Sequence, residues 1–138
     1  MIRLLVVFVV AGIAAGLGIV SRRIQNAPIQ GSSEAPTQLD RADFTQPTKQ
    51  WLVAVFTSAA CNTCADVEAK AHVLESESVA VHISEFGAQR ALHKRYNIES
   101  VPTLLLVDSE GVVRQSFLGP VTATDLWAAL AQVRTTTL

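Results

Sequence analysis

A chain of 138 residues with 17% charged residues and a net charge of −1 has room for one small domain and little more, and nothing in its even charge balance suggests nucleic-acid binding, which needs a strongly basic face. Two cysteines three positions apart exclude a scaffold stapled by several disulfides. The fold must therefore be held by its core, which leaves both sulfurs free for chemistry.

The 49% hydrophobic content is inflated by one block at the N-terminus, and residues 1–23 read as a membrane anchor. Residues 4–20 form a run of 17 apolar or small residues without a charge, the lower limit for crossing a hydrocarbon core of about 30 Å. The run is longer than most signal-peptide cores. Ala14 to Gly18 offers only a weak small-x-small cleavage site, and Ile19-Val20 continue the run past it. An uncleaved single-pass helix in the cell membrane is therefore expected ahead of a cleaved signal. No cysteine directly follows the run, which argues against a lipid anchor, and a buried core helix is disfavoured because the segment has no polar face to present to water. Arg3 and the α-amino group precede the run, while Arg22 and Arg23 follow it. By the positive-inside count the domain leans to the cytoplasmic face by one residue. The free amine offsets that margin, so the side stays undecided between cytoplasmic and extracytoplasmic.

Residues 24–47 are rich in Pro, Gln, Ser, Thr and Asp and read as a flexible linker, with a short strand near residues 39–44 where the fold begins to gather. The domain proper is assigned to residues 48–135. Residues 51–57 are a continuous apolar run of strand formers, the mark of a central buried strand. After a polar break, Cys64, Val67, Ala71 and Leu74 recur at helical spacing on one face. Residues 79–83 predict a second strand. Residues 88–96 predict a helix with Ala88, Ala91 and Leu92 inward. Residues 103–107 are a third strand, Asp108-Ser109-Glu110-Gly111 a turn, and residues 112–117 the returning strand. Thr122 can cap a last helix, with Asp125 in its first turn and Leu126, Ala129, Leu130 and Val133 as its buried stripe. The order β-α-β-α-β-β-α predicts an α/β fold. Strand–helix–strand units favour parallel pairing, and the last two strands, joined by a tight turn, pair antiparallel. A mixed four-stranded sheet with helices on both faces follows.

The chemistry sits at Cys61-Asn62-Thr63-Cys64, between the first strand and its helix. The spacing alone is shared with zinc sites, and position sharpens it. Cys61 falls at or just before a helix N-terminus, where unpaired amides and the dipole stabilise a thiolate, the species that attacks a disulfide. Cys64, one turn later and inward, is placed to resolve the mixed disulfide that Cys61 makes. Val101-Pro102-Thr103 opens the third strand, where a proline that cannot donate to a ladder belongs. A cis bond there would leave the Val101 backbone beside the cysteines, free to pair with an extended substrate.

These features, with Phe56 on the first strand, Tyr96-Asn97-Ile98, Leu104-Leu105, Gly119 and the last helix, resemble the thioredoxin superfamily from about residue 39 to residue 133. The resemblance to membrane-anchored bacterial members implies a thioredoxin-like fold and disulfide exchange with protein clients. It also implies a reductase or oxidase as redox partner, no cofactor, and a cis Val101–Pro102 bond bordering the substrate groove. The departures are specific. Ala60 stands where the family carries Trp, and Asn62-Thr63 where it carries Gly-Pro. Val55 takes the place of the buried acid that serves the resolving thiol, and His82 aligns with the lysine near that acid. The family's first helix has no counterpart, since residues 45–50 are too few.

His82 is thus a candidate proton relay for Cys64, having a side chain that titrates near neutrality, against the plainer reading of a half-exposed strand histidine. His72 and His93 read as solvated helix residues, Trp127 as packed on sheet or linker, and Arg90, Lys94 and Arg95 as a solvated basic face. Asp66 and Glu68 suit the helix dipole but would also raise a nearby thiol's pKa. No metal site is expected: zinc takes four ligands, and only His72 and His82 lie near the single cysteine pair. The sequence supports a membrane-tethered thiol–disulfide oxidoreductase first, with a non-catalytic binding module or a metal-handling domain as alternatives.

Overall fold

The computed structural model describes residues 34–136; the anchor expected at residues 4–20 and the first part of the linker lie outside the described residues. Among the described residues no helix is long and apolar enough to cross a membrane. The elements are β1 (Trp51–Thr57), α1 (Cys64–His72), β2 (Val79–Glu85), α2 (Arg90–Arg95), β3 (Thr103–Val107), β4 (Val113–Leu118) and α3 (Ala123–Thr136), preceded by a 3-10 turn at Arg41–Asp43.

The strands form one sheet in the order β2-β1-β3-β4. All seven residues of β1 are buried, as a central strand covered on both faces should be. β1 and β2 pair in parallel, while β3 runs antiparallel to both of its neighbours, β1 and β4. The parallel pairing expected of the second strand–helix–strand unit is therefore corrected. The six residues of α2 rise only about 9 Å, whereas a seven-residue strand such as β2 spans about 23 Å. That helix alone carries the chain less than half the length of β2, and β3 starts where β2 finished and runs back.

Alternation along the strands builds two cores. Trp51, Val53, Val55, Val79, Val81, Leu104 and Leu106 face Val67, Ala71 and Leu74 of α1 and its end, together with Leu126, Ala129, Leu130 and Val133 of α3. On the other face Leu52, Ala54, Phe56, Ala80, Leu105 and Val107 meet Leu39 and Phe44, with Leu92, Tyr96 and Ile98 packed against them. α2 is shorter than the expected helix, and of the three residues expected inward only Leu92 packs on the core. Ala88 and Ala91 are exposed, and the buried residue is His93, at 3% exposure. Its ring is seated edge-on between Phe56 and Phe86, and Nε2 donates to the Ser84 carbonyl at 2.8 Å. Trp127, expected to pack, is 51% exposed.

Part of the stretch read as linker is a strap on the second core. Leu39, Arg41 and Phe44 are buried. In place of the short strand there is an isolated bridge between Gln38 and Val112, followed by the 3-10 turn. Arg41 donates to the carbonyls of Asp108 (2.7 Å) and Lys49 (2.9 Å). The Tyr96 hydroxyl donates to Asp43 (2.5 Å) and accepts from the Asp40 amide (2.9 Å). Burial, and then the bond to Asp43, push the Tyr96 phenol above its ordinary range. Arg95, expected to be solvated, reaches Asp43 at 3.1 Å and Asp40 at 3.5 Å.

Gly111 lets the strap close on the β3–β4 turn. Its φ is +83°, its carbonyl accepts from the Leu39 amide at 2.8 Å, and a Cβ would stand 2.0 Å from the Leu39 carbonyl oxygen. A side chain there meets both a disfavoured backbone and a backbone clash. Gly111→Ala is expected to cost about 3 kcal/mol, read as a lower denaturant midpoint. An unchanged midpoint would mean that the strap adds nothing to stability.

Candidate active site

β1 delivers the chain to the cysteines at the end of the sheet where β2 also finishes. The Cys61 amide donates to the Ser58 carbonyl at 3.0 Å, turning the chain sharply out of the strand. α1 then starts at Cys64, with Thr63 as its N-cap in helical backbone geometry and no side-chain capping bond. The first-turn amides are therefore left without a side-chain acceptor, and the positive end of the helix stays available to a nearby anion. Cys61 lies three residues before the first helical residue, slightly farther out than expected.

The two cysteines are joined as a disulfide with Cα atoms 5.5 Å apart. Their environments differ: Cys61 is partly exposed, whereas Cys64 is 2% exposed. The Cys61 sulfur lies 3.7 Å from the Thr63 hydroxyl. One sulfur can thus be reached by another molecule, and its partner is shielded against the first core. Asp66 in the first turn is neutralised by Lys70, four residues on, at 2.5 Å; Lys70 also donates to the Val121 carbonyl at 3.0 Å. The opposing effect of that carboxylate on the helix start is therefore blunted.

Val55 is fully buried in the apolar cluster that α1 covers. Two residues on, Thr57 faces the same way by strand alternation. It is 1% exposed, with a hydroxyl that has no hydrogen-bond partner.

Pro102 is buried, and the Val101–Pro102 peptide bond is cis. The antiparallel register pairs Thr103 with Phe56, which sets residues 101–102 beside the exit of β1, the same exit from which Cys61 leaves.

His82 is not brought to the cysteines, and the relay expected of it is corrected. It is 8% exposed, not half-exposed, and it pairs with Ala54 on the face opposite α1. Nδ1 accepts from the Thr45 amide at 3.2 Å, Nε2–H donates to Gln89 Oε1 at 3.0 Å, and Phe44 packs edge-on to the ring. One nitrogen holds the end of the strap and the other the residue that precedes α2. His72 is exposed on the last turn of α1. Among the described residues no three His, Cys, Asp or Glu side chains gather where they could hold a metal ion.

One residue near the site carried no signal in the sequence. Glu85, at the end of β2, accepts backbone hydrogen bonds from the loop that precedes Cys61 and from the loop that follows β2. A lone acid after a strand has no periodicity or motif to mark it.

A family model described as a thioredoxin-like domain matches residues 38–134. Among curated proteins none matches the chain. Solved structures similar to it include a mutant thioredoxin from Halobacterium salinarum, with 23% identity over 65% of this chain and 80% of that one and a TM-score of 0.54. The germline-specific thioredoxin Deadhead from Drosophila melanogaster shares 21% identity over 62% of this chain and 83% of that one, also at a TM-score of 0.54. A thioredoxin-2 of a malaria parasite is similar at 17% identity over 60% of this chain and 82% of that one, at 0.54 again. At these identities the solved structures speak for the fold alone. The family match runs from the strap before β1 to the last turns of α3 and takes in the cysteine pair, and on that ground this chain belongs to the thioredoxin-like domain family.

Proposed function

We propose that the protein is a membrane-tethered thiol–disulfide oxidoreductase that exchanges disulfides with protein clients through Cys61 and Cys64. The observation that carries this reading is the asymmetry of the pair: a partly exposed sulfur bonded to a buried one at the start of an uncapped helix. In the reducing direction the Cys61 thiolate attacks a client disulfide. A Cys61–client bond forms and one client sulfur leaves as a thiolate. The Cys64 thiolate then attacks the Cys61 sulfur, the internal disulfide forms and the second client sulfur leaves. Two electrons pass to the client, and a redox partner returns them. The same steps reversed oxidise a client dithiol. Val101 and Pro102 border the approach to Cys61 and are assigned to the substrate groove.

The tether rests on the uncharged run at residues 4–20. Fractionation of cells that express the full chain tests it: recovery in the alkali-resistant membrane pellet is expected, and release by alkali overturns it. The exchange is tested by client trapping. Cys64→Ser is expected to accumulate Cys61-linked mixed disulfides that vanish on reduction. A Cys64→Ser chain that captures nothing, in cells where the wild-type pair never cycles, would favour a binding module that merely kept the fold.

A further inference from the structure

Glu85 ties together two loops at the disulfide end of the sheet. It is the last residue of β2 and stands opposite Thr57, the last residue of β1, in the parallel register. Its Oε1 accepts from the Ala59 amide at 3.2 Å, and its Oε2 accepts from the Ala88 amide at 2.9 Å. The loop after β2 wraps the carboxylate so closely that a Cβ on Gly87 would stand 2.9 Å from Oε2. The Phe86 amide adds a backbone rung to the Thr57 carbonyl at 2.9 Å. Ala59 precedes Cys61 by two residues, so the side chain holds the segment from which the reactive sulfur projects. The amides of Gly87, Ala88 and Ala59, with a smaller contribution from His93, keep the Glu85 carboxyl below its ordinary range and therefore charged at neutral pH.

We infer that Glu85 is a positioning residue that clamps the Cys61 loop and thereby favours closure of the Cys61–Cys64 disulfide. The inference rests on the redox reading proposed above. Closing an internal disulfide depends on the effective concentration of one sulfur at the other, and a loosened loop dilutes it. The charge acts in the same direction: an anion held on the loop that leads into Cys61 disfavours a thiolate on that loop and with it the reduced form. Neither effect requires Glu85 to touch the client.

The test is the equilibrium of the full chain, in mild detergent, with a glutathione buffer. Closure passes two electrons and two protons from the dithiol to oxidised glutathione, giving two molecules of reduced glutathione. Glu85→Ala is expected to lower the equilibrium constant for the disulfide about tenfold, a potential about 30 mV less negative. Glu85→Gln keeps the side-chain length and one acceptor oxygen, so a smaller fall is expected. A merely structural residue would lower the melting temperatures of the oxidised and reduced forms equally and leave the constant unmoved; that result overturns the clamp. Equal falls in both variants, with a lowered Cys61 thiol pKa, would assign the effect to charge alone and also overturn it. If Glu85→Ala does not fold, an unmoved constant in Glu85→Gln is sufficient to overturn it. A wild-type pair that never equilibrates with glutathione is a different failure, one that sinks the redox reading itself.

Discussion

Replacing Cys61 with serine is expected to reduce disulfide exchange by about a thousandfold or more, the scale seen when an enzyme loses its nucleophile. The reason is the leaving and attacking power of sulfur. The thiolate is the species that attacks a disulfide, and a helix N-terminus favours it, whereas a serine hydroxyl at the same place is a far weaker nucleophile. Cys64→Ser should behave differently, because the partly exposed sulfur that makes the first attack is still present. A single mixed disulfide forms and then waits, since the buried partner that would displace it is gone. Insulin reduction coupled to a thiol reductant, followed for the wild-type chain and both variants, separates these outcomes. Full activity in Cys61→Ser would refute the assignment of the nucleophile, and rapid multiple turnover in Cys64→Ser would refute that of the resolving group.

The largest effect on stability is expected at Phe56. It is fully buried, and its ring meets Phe44 of the strap edge-on at 6.5 Å and His93 of α2 edge-on at 5.1 Å. One side chain thus joins the central strand, the strap and the second helix. Phe56→Ala removes those contacts and leaves a cavity that a sheet strand cannot collapse to fill, a loss of about 3–5 kcal/mol. For a domain whose whole stability is about 5–15 kcal/mol, that is a large fraction, and a fall in Tm of about 15 °C or more should follow. The cost should appear in thermal melts of both redox forms, because Phe56 lies on the face opposite the cysteine helix. A fall of less than about 1 kcal/mol would mean that strap and helix repack without it. The contrast with Glu85 is useful: Phe56 should move stability and leave the redox constant alone.

Much of this protein was legible in the order of its residues. The run from Trp51 to Thr57 could only be a doubly covered strand, because seven consecutive buried residues leave no polar face for water. The helical spacing of Val67, Ala71 and Leu74, and of Leu126, Ala129, Leu130 and Val133, placed both long helices with their buried stripes correct. The cysteine pair at a strand–helix junction carried its chemistry in its position. Such features depend on neighbours a few residues apart, and the 2.0 and 3.6 periods write them directly into the chain.

What the tertiary structure decided depends on residues far apart in sequence. The short α2 had too few turns to declare its phase, so His93 took the inward position beside Phe56 and Phe86 where alanines were expected. The direction of β3 lies in its antiparallel pairing with β1 and β4, which no local pattern records. Alignment and residue type offer His82 to the cysteines, but strand alternation puts it on the opposite face, where Thr45 and Gln89 occupy its ring nitrogens. The residues before β1 look like linker by composition, yet Leu39, Arg41 and Phe44 close the second core because partners around residues 96 and 108–111 await them. Glu85 has meaning only once two loops meet. Local order chose the elements and the reactive pair; long-range packing chose which side chains stand around them, because one sheet face can be matched to several partners until the whole chain is in place.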